Sequence, residues 1–142
     1  MDRGLADEAC EACRPGAPRV STEDMPALLA AVPRWHRTER NGTDHVRRSY
    51  RFPDFALALA FTARVGALAE AEDHHPTITL QRGQATVTWW TYAIGGLHRN
   101  DFRMAARCDV IYAEITRART PTGEGAPAGV DVVAERRAGA HS

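Results

Sequence analysis

The 142-residue chain predicts an α+β domain: a four-stranded antiparallel sheet with helices packed on one face, in the order helix, hairpin, helix, hairpin, helix. Three observations carry this. Asn41-Gly42 is the favoured two-residue hairpin turn and sits between two extended-looking runs. Phe55, Ala58, Leu59, Thr62, Val65, Leu68 and Ala69 recur three and four apart, the spacing of a core-facing helix. Pro76 then forbids further helix, and ATVTWWTY supplies a β-branched and aromatic strand.

Each element has its own signals. Ser21, with Asp24 three positions later, forms a capping pattern that opens a short helix from Met25 to about Ala31, closed by Pro33. The first hairpin runs from Trp35 to Arg40 and from Val46 to Phe52, its polar strands leaving one face exposed or covered by a partner. Asp54 caps the long helix, which ends near Asp73 because Pro76 biases His75 to extended geometry. The second hairpin joins Thr77–Gln81 to Ala85–Tyr92 through Arg82-Gly83, and Gly95-Gly96 breaks it. The last helix starts near Asn100 or Asp101 and turns Phe102, Ala105, Ala106, Val110 and Ile111 inward.

Residues 1–19 read as a flexible leader, 20–118 as the folded domain, and 119–142, rich in Ala, Gly and Pro, as a disordered tail. A chain of this length buries roughly two-thirds of its unfolded surface and needs no metal or disulfide to hold a core. Eighteen basic residues balance eighteen acidic ones, which argues against a nucleic-acid partner. No apolar run approaches the ~20 residues that span a bilayer, and the charged N-terminus lacks a secretory pattern, so no membrane partner is expected and the compartment is the cytoplasm. Cys10, Cys13 and Cys108 are an odd set. Cys10-x-x-Cys13 lacks the second ligand pair that structural zinc requires and reads as a free thiol pair.

The candidate site is the corner Glu70-Ala-Glu-Asp-His-His-Pro76. Imidazole is the side chain whose unperturbed titration lies nearest neutrality, so it can give or take a proton at physiological pH. Adjacent histidines point in different directions: one can move a proton while the other binds or orients a substrate. Glu70, Glu72 and Asp73 lie within one helical turn and can fix the ring tautomers. Adjacent histidines rarely reach one metal ion together, and no third ligand is evident. The competing reading is a pair of surface histidines favoured by the helix C-terminal dipole.

That corner, followed by Val87-Thr-Trp-Trp-Thr91 and Gly96-Leu-His-Arg-Asn-Asp-Phe102, resembles the pterin-4a-carbinolamine dehydratase family. The similarity is to the bacterial branch that accompanies phenylalanine hydroxylase. It extends through Cys10-Glu-Ala-Cys13, Val32-Pro-Arg-Trp35 and Ala58-Leu-Ala-Phe-Thr62 and covers about residues 10–115. The resemblance implies the fold described above, a homodimer or homotetramer, and a hydro-lyase that recycles the pterin used by aromatic amino acid hydroxylases. Its small-molecule substrate is a 4a-hydroxytetrahydropterin, which loses water to give the quinonoid dihydropterin with no metal or organic cofactor. One group protonates the departing hydroxyl and a base takes a proton from a ring nitrogen. Carried over, His74 and His75 are two of the family's three histidines. Glu70 and Asp73 match its supporting acids, and Asp101 matches an aspartate near the pterin pocket.

The third family histidine, in a Thr-His step, is replaced by Tyr92. A phenol ionises only near pH ~10, so at neutral pH it donates a hydrogen bond or proton but serves poorly as a base. Tyr92 therefore joins His74 and His75 as a proton-transfer candidate, acting on the leaving hydroxyl. Two alternatives remain open: an enzyme repurposed on the same scaffold for another ring substrate, and a non-catalytic assembly partner, as animal family members are for a homeodomain transcription factor. Trp89 and Trp90 read as sheet packing or an oligomer contact before substrate stacking.

Overall fold

A computed structural model describes residues 4–10 and 17–118. Helix α1 (Met25–Ala31) precedes strands β1 (His36–Arg40) and β2 (Thr43–Arg51). Helix α2 (Phe55–Glu72) leads to β3 (Thr77–Gln81) and β4 (Gln84–Trp89), and α3 (Arg99–Ala118) completes the described chain. The four strands form one antiparallel sheet in the order β1-β2-β4-β3. Asn41 (φ 51°) and Gly42 (φ 80°) both take the left-handed backbone that a tight hairpin turn demands.

Alternation fixes which face of the sheet is covered. Val46 and Tyr50 of β2, with Ala85, Val87 and Trp89 of β4, are fully buried against α2 and α3. The residues between them, among them Arg47, Ser49 and Thr86, belong to the opposite face, where the Ser49 and Thr86 hydroxyls meet at 2.8 Å. Asp54 caps α2 by accepting the Leu57 amide at 2.8 Å. Ser21 accepts the Asp24 amide at 3.0 Å, capping a turn just before α1 instead of the helix itself.

Two expectations are corrected. Phe55 and Leu59 of α2 and Val110 of α3 are exposed, whereas Phe61, Met104 and Cys108 are fully buried. Apolar residues surround α2, so spacing alone does not select the stripe that meets the sheet; Phe61 wins by packing against Tyr50 and Phe52, with ring centroids at 4.5 and 5.3 Å. Strand β4 ends at Trp89, and Tyr92 opens a short 3-10 turn (Tyr92–Ile94) closed by Gly95 at φ 61°. The N-terminal segment is docked where it is described: Leu5 is buried and the residues beside it grip α3. Cys13 and the tail 119–142 lie outside the described residues.

That grip is a clamp. Glu8 takes Arg99 on both carboxylate oxygens at 2.9 Å and Arg103 at 2.8 Å, while Arg107 donates to the Ala6 carbonyl at 3.1 Å and to the Glu8 carbonyl. The Arg99 hydrogen bonds, working against partial burial and joined by Arg103, hold the Glu8 carboxyl down at about 2. A second polar node ties the sheet to α3. One Asp109 oxygen accepts from Arg48 (2.7 Å), Tyr50 (2.5 Å) and Trp35 (3.0 Å).

Candidate active site

The end of α2 creates the histidine corner. Asp73 takes a left-handed conformation (φ 54°), which an aspartate tolerates better than a branched residue does. The reversal lets the His74 amide reach back to the Ala69 carbonyl at 3.1 Å while the Asp73 amide bonds Glu70 at 3.4 Å, a closed helix terminus. Pro76 then launches β3, leaving two imidazoles on the bend with opposite fates.

His74 turns inward. It is 8% exposed, and its Nε2 lies 2.7 Å from Oδ1 of Asp101, which exposes no surface at all. The other Asp101 oxygen accepts the Thr91 hydroxyl at 2.8 Å and the His98 amide at 3.0 Å. Both oxygens are therefore occupied by protein groups. Asp101 holds the ring of His74. With Nε2–H donated to the carboxylate, the neutral ring keeps its lone pair on Nδ1.

His75 turns outward. Its Nε2 lies 2.6 Å from Oε2 of Glu70, and both side chains are more than half exposed. Glu72 faces away from the histidines toward Arg107 at 3.1 Å, and Asp73 is exposed at the bend. Tyr92 is 87% exposed and is not drawn to either imidazole by any described hydrogen bond. The structure thus brings together His74 with Asp101 and His75 with Glu70, and leaves Tyr92 projecting into solvent after β4.

Sequence reasoning missed the supporting groups. Thr91 and the backbone of His98 complete the Asp101 node, and His98 doubles as the cap of α3. Its Nδ1 accepts the Asn100 amide at 3.0 Å and its carbonyl the Asp101 amide at 2.9 Å. A side-chain acceptor just ahead of a helix is a capping signal, but histidine is not among the residues that usually give it. His45 of β2 was also overlooked. It is 7% exposed, and its ring lies 4.4 Å from that of Trp90. Burial, followed by the Arg40 charge, lowers its pKa from the ordinary imidazole value, with Asp101 and Asp44 pulling the other way.

Other titratable groups are poor candidates for chemistry. Burial, partly offset by Trp89, pushes the Cys108 thiol up to about 12, so it stays protonated and unreactive. Among the described residues, no three His, Cys, Asp or Glu side chains are gathered as a metal ion would need, and no helix is long and apolar enough to cross a membrane.

Residues 18–111 match the family model described as pterin 4 alpha carbinolamine dehydratase. A Gloeobacter violaceus protein provisionally assigned as such a dehydratase is 49% identical over 111 residues, covering 78% of this chain and 96% of its own. A relative from Hahella chejuensis with the same provisional assignment is 47% identical over 104 residues, covering 73% and 93%. Among solved structures, a Brucella melitensis protein titled transcriptional coactivator/pterin dehydratase is similar with a TM-score of 0.61 and 29% identity, over 67% of this chain and 99% of that one. This chain belongs to the pterin 4 alpha carbinolamine dehydratase family.

Proposed function

We propose that the protein is a 4a-hydroxytetrahydropterin dehydratase that recycles the pterin of an aromatic amino acid hydroxylase, with proton transfer at His74 and His75. The observation that carries the reading is the buried Asp101–His74 pair, because it fixes one tautomer beside a second, solvent-facing imidazole. In the reaction, His74 Nδ1 takes the proton from the ring nitrogen next to the carbinol carbon. That N–H electron pair becomes the C=N bond as the C–O bond breaks. The departing oxygen keeps the C–O pair and receives a proton from His75, steadied by Glu70, with the Tyr92 phenol as a second donor on the solvent side. Water and the quinonoid dihydropterin result, with no net oxidation. Asp73 shapes the rim by setting the bend. Acid–base groups of this kind each contribute about 10²–10⁴ in rate.

The test is direct: purified protein is mixed with a freshly generated 4a-hydroxytetrahydropterin and dehydration is followed by absorbance. A rate no faster than the spontaneous one overturns the reading. Tyr92 favours a second reading, a scaffold turned to another ring substrate, since the phenol stands where the family has an imidazole. Weak pterin binding together with no gain from Tyr92→His would support it. A homodimer or homotetramer belongs to the same proposal, supported by the exposed Phe55 and Leu59 on α2 and Val110 on α3. Sedimentation of the purified chain as a monomer would remove that part.

A further inference from the structure

His45 has no place in the site as the family motif defines it, yet the sheet registers bring it there. Val46 pairs with Trp89, and continuing that register by one residue sets His45 beside Trp90, where the two rings do meet at 4.4 Å and 32°. On the other side of β4, strand β3 begins at Thr77 opposite Thr88, two residues after His75. Val46 faces the helices, so His45 turns the other way onto Trp90, one residue along from Trp89, whose ring lies 5.3 Å from that of His74. A flat ring resting at this end of β4 has His45 on one side and the histidine corner on the other.

His45 is also unspent. Among the described residues, none hydrogen-bonds either of its ring nitrogens. Among the described residues, the ring nitrogens of His45 are not fully sealed from solvent either. A nearly buried imidazole with open nitrogens on the rim of a site is equipped to meet a ligand.

We propose that His45 is the third imidazole of this site, contacting the pterin-class ring from the β2 side as a neutral hydrogen-bond acceptor in place of the histidine missing at position 92. This rests on the dehydratase reading for the reaction, but the contact itself concerns binding of the ring. The neutral form is favoured by burial and by Arg40 of β1; Asp44 of β2 and Asp101 of α3 oppose it, and Thr38, directly across on β1, carries no charge. Protonation removes the lone pair, so ring binding weakens as pH falls below the imidazole range.

The test uses the full chain and a non-reacting 7,8-dihydropterin as probe, read by titration calorimetry and by the His45 imidazole resonances. The inference expects the wild-type His45 resonances to shift on saturation. His45→Phe keeps the stack on Trp90 but lacks the acceptor, and should weaken binding and raise KM about tenfold with little change in kcat. His45→Gln retains an acceptor, should recover most of the affinity, and should flatten the pH dependence of binding. Tyr92→His placed in the His45→Phe background should also restore affinity. If wild-type His45 resonances stay unmoved by saturating dihydropterin, the inference is overturned, whatever the variants do. If they move but the protein does not dehydrate the carbinolamine, the proposed reaction falls while the ring contact stands.

Discussion

Replacing Asp101 by Asn separates the orienting work of the carboxylate from its bulk. Asp101 accepts three hydrogen bonds, from His74 on one oxygen and from Thr91 and the His98 amide on the other. A main-chain amide can only donate, so the single carbonyl oxygen of the asparagine must serve His98. Its NH2 group then faces His74 Nε2. Two N–H groups cannot share that 2.7 Å contact, so His74 must move its proton to Nδ1 and accept at Nε2. The fold survives with a loss of about 1–3 kcal/mol, as charge-assisted bonds become neutral ones. The lone pair that served the substrate now points into the protein, and dehydration should fall by about 10²–10⁴. Nitrogen-15 shifts of the His74 ring report the tautomer directly, and single-turnover absorbance gives the rate. Asp101→Ala is the contrasting variant: it strands three buried donors and should cost about 3–5 kcal/mol in urea denaturation. A D101N protein with the original tautomer, or with the tautomer reversed and an unchanged rate, refutes the reasoning.

Other outcomes follow from the same geometry. Tyr92→His should raise the dehydration rate at least about tenfold at neutral pH by restoring an imidazole, measured as kcat; no gain means position 92 does not reach the substrate. Phe61→Ala removes a fully buried ring stacked on Tyr50 and Phe52 and should lower stability by about 3–5 kcal/mol in urea denaturation, and a loss well below that would mean the core collapses around the gap. The folded-state carboxyl of Glu8 titrates at about 2 against an ordinary 4.5, so the clamp's contribution is complete above about pH 4.5 and is lost as pH falls toward 2. Allowing for solvent around half-exposed Arg99, Glu8→Gln should cost about 1–2 kcal/mol near neutrality and much less at pH 2. Equal losses at both pH values would show that the charge is not responsible.

The sequence carried the architecture because local chemistry sets most of it. Asn41-Gly42 fixed a hairpin, Asp54 a helix start, and Pro76 a helix end, each within a few residues of its effect. What escaped was non-local. Glu8 meets Arg99 across 91 positions and His74 meets Asp101 across 27, distances over which no periodicity speaks. The family resemblance placed both His74 and Asp101 near the pocket, but not the bond that hides the carboxylate. The face of α2 was misjudged because a helix apolar on all sides lets the sheet choose. His45 passed unnoticed because its partner, Trp90, lies 45 positions away, just past the end of β4.

The two histidine–tryptophan contacts give the molecule a built-in optical readout. The Trp90 ring lies against His45 at 4.4 Å and the Trp89 ring beside His74 at 5.3 Å, while Trp35 sits apart with its N–H on Asp109. An imidazolium quenches a neighbouring indole far more than a neutral imidazole does. Intrinsic fluorescence therefore reports on both contacts, over the background from Trp35. Single Trp-to-Phe replacements assign each signal to its histidine contact, with no dye and no substrate.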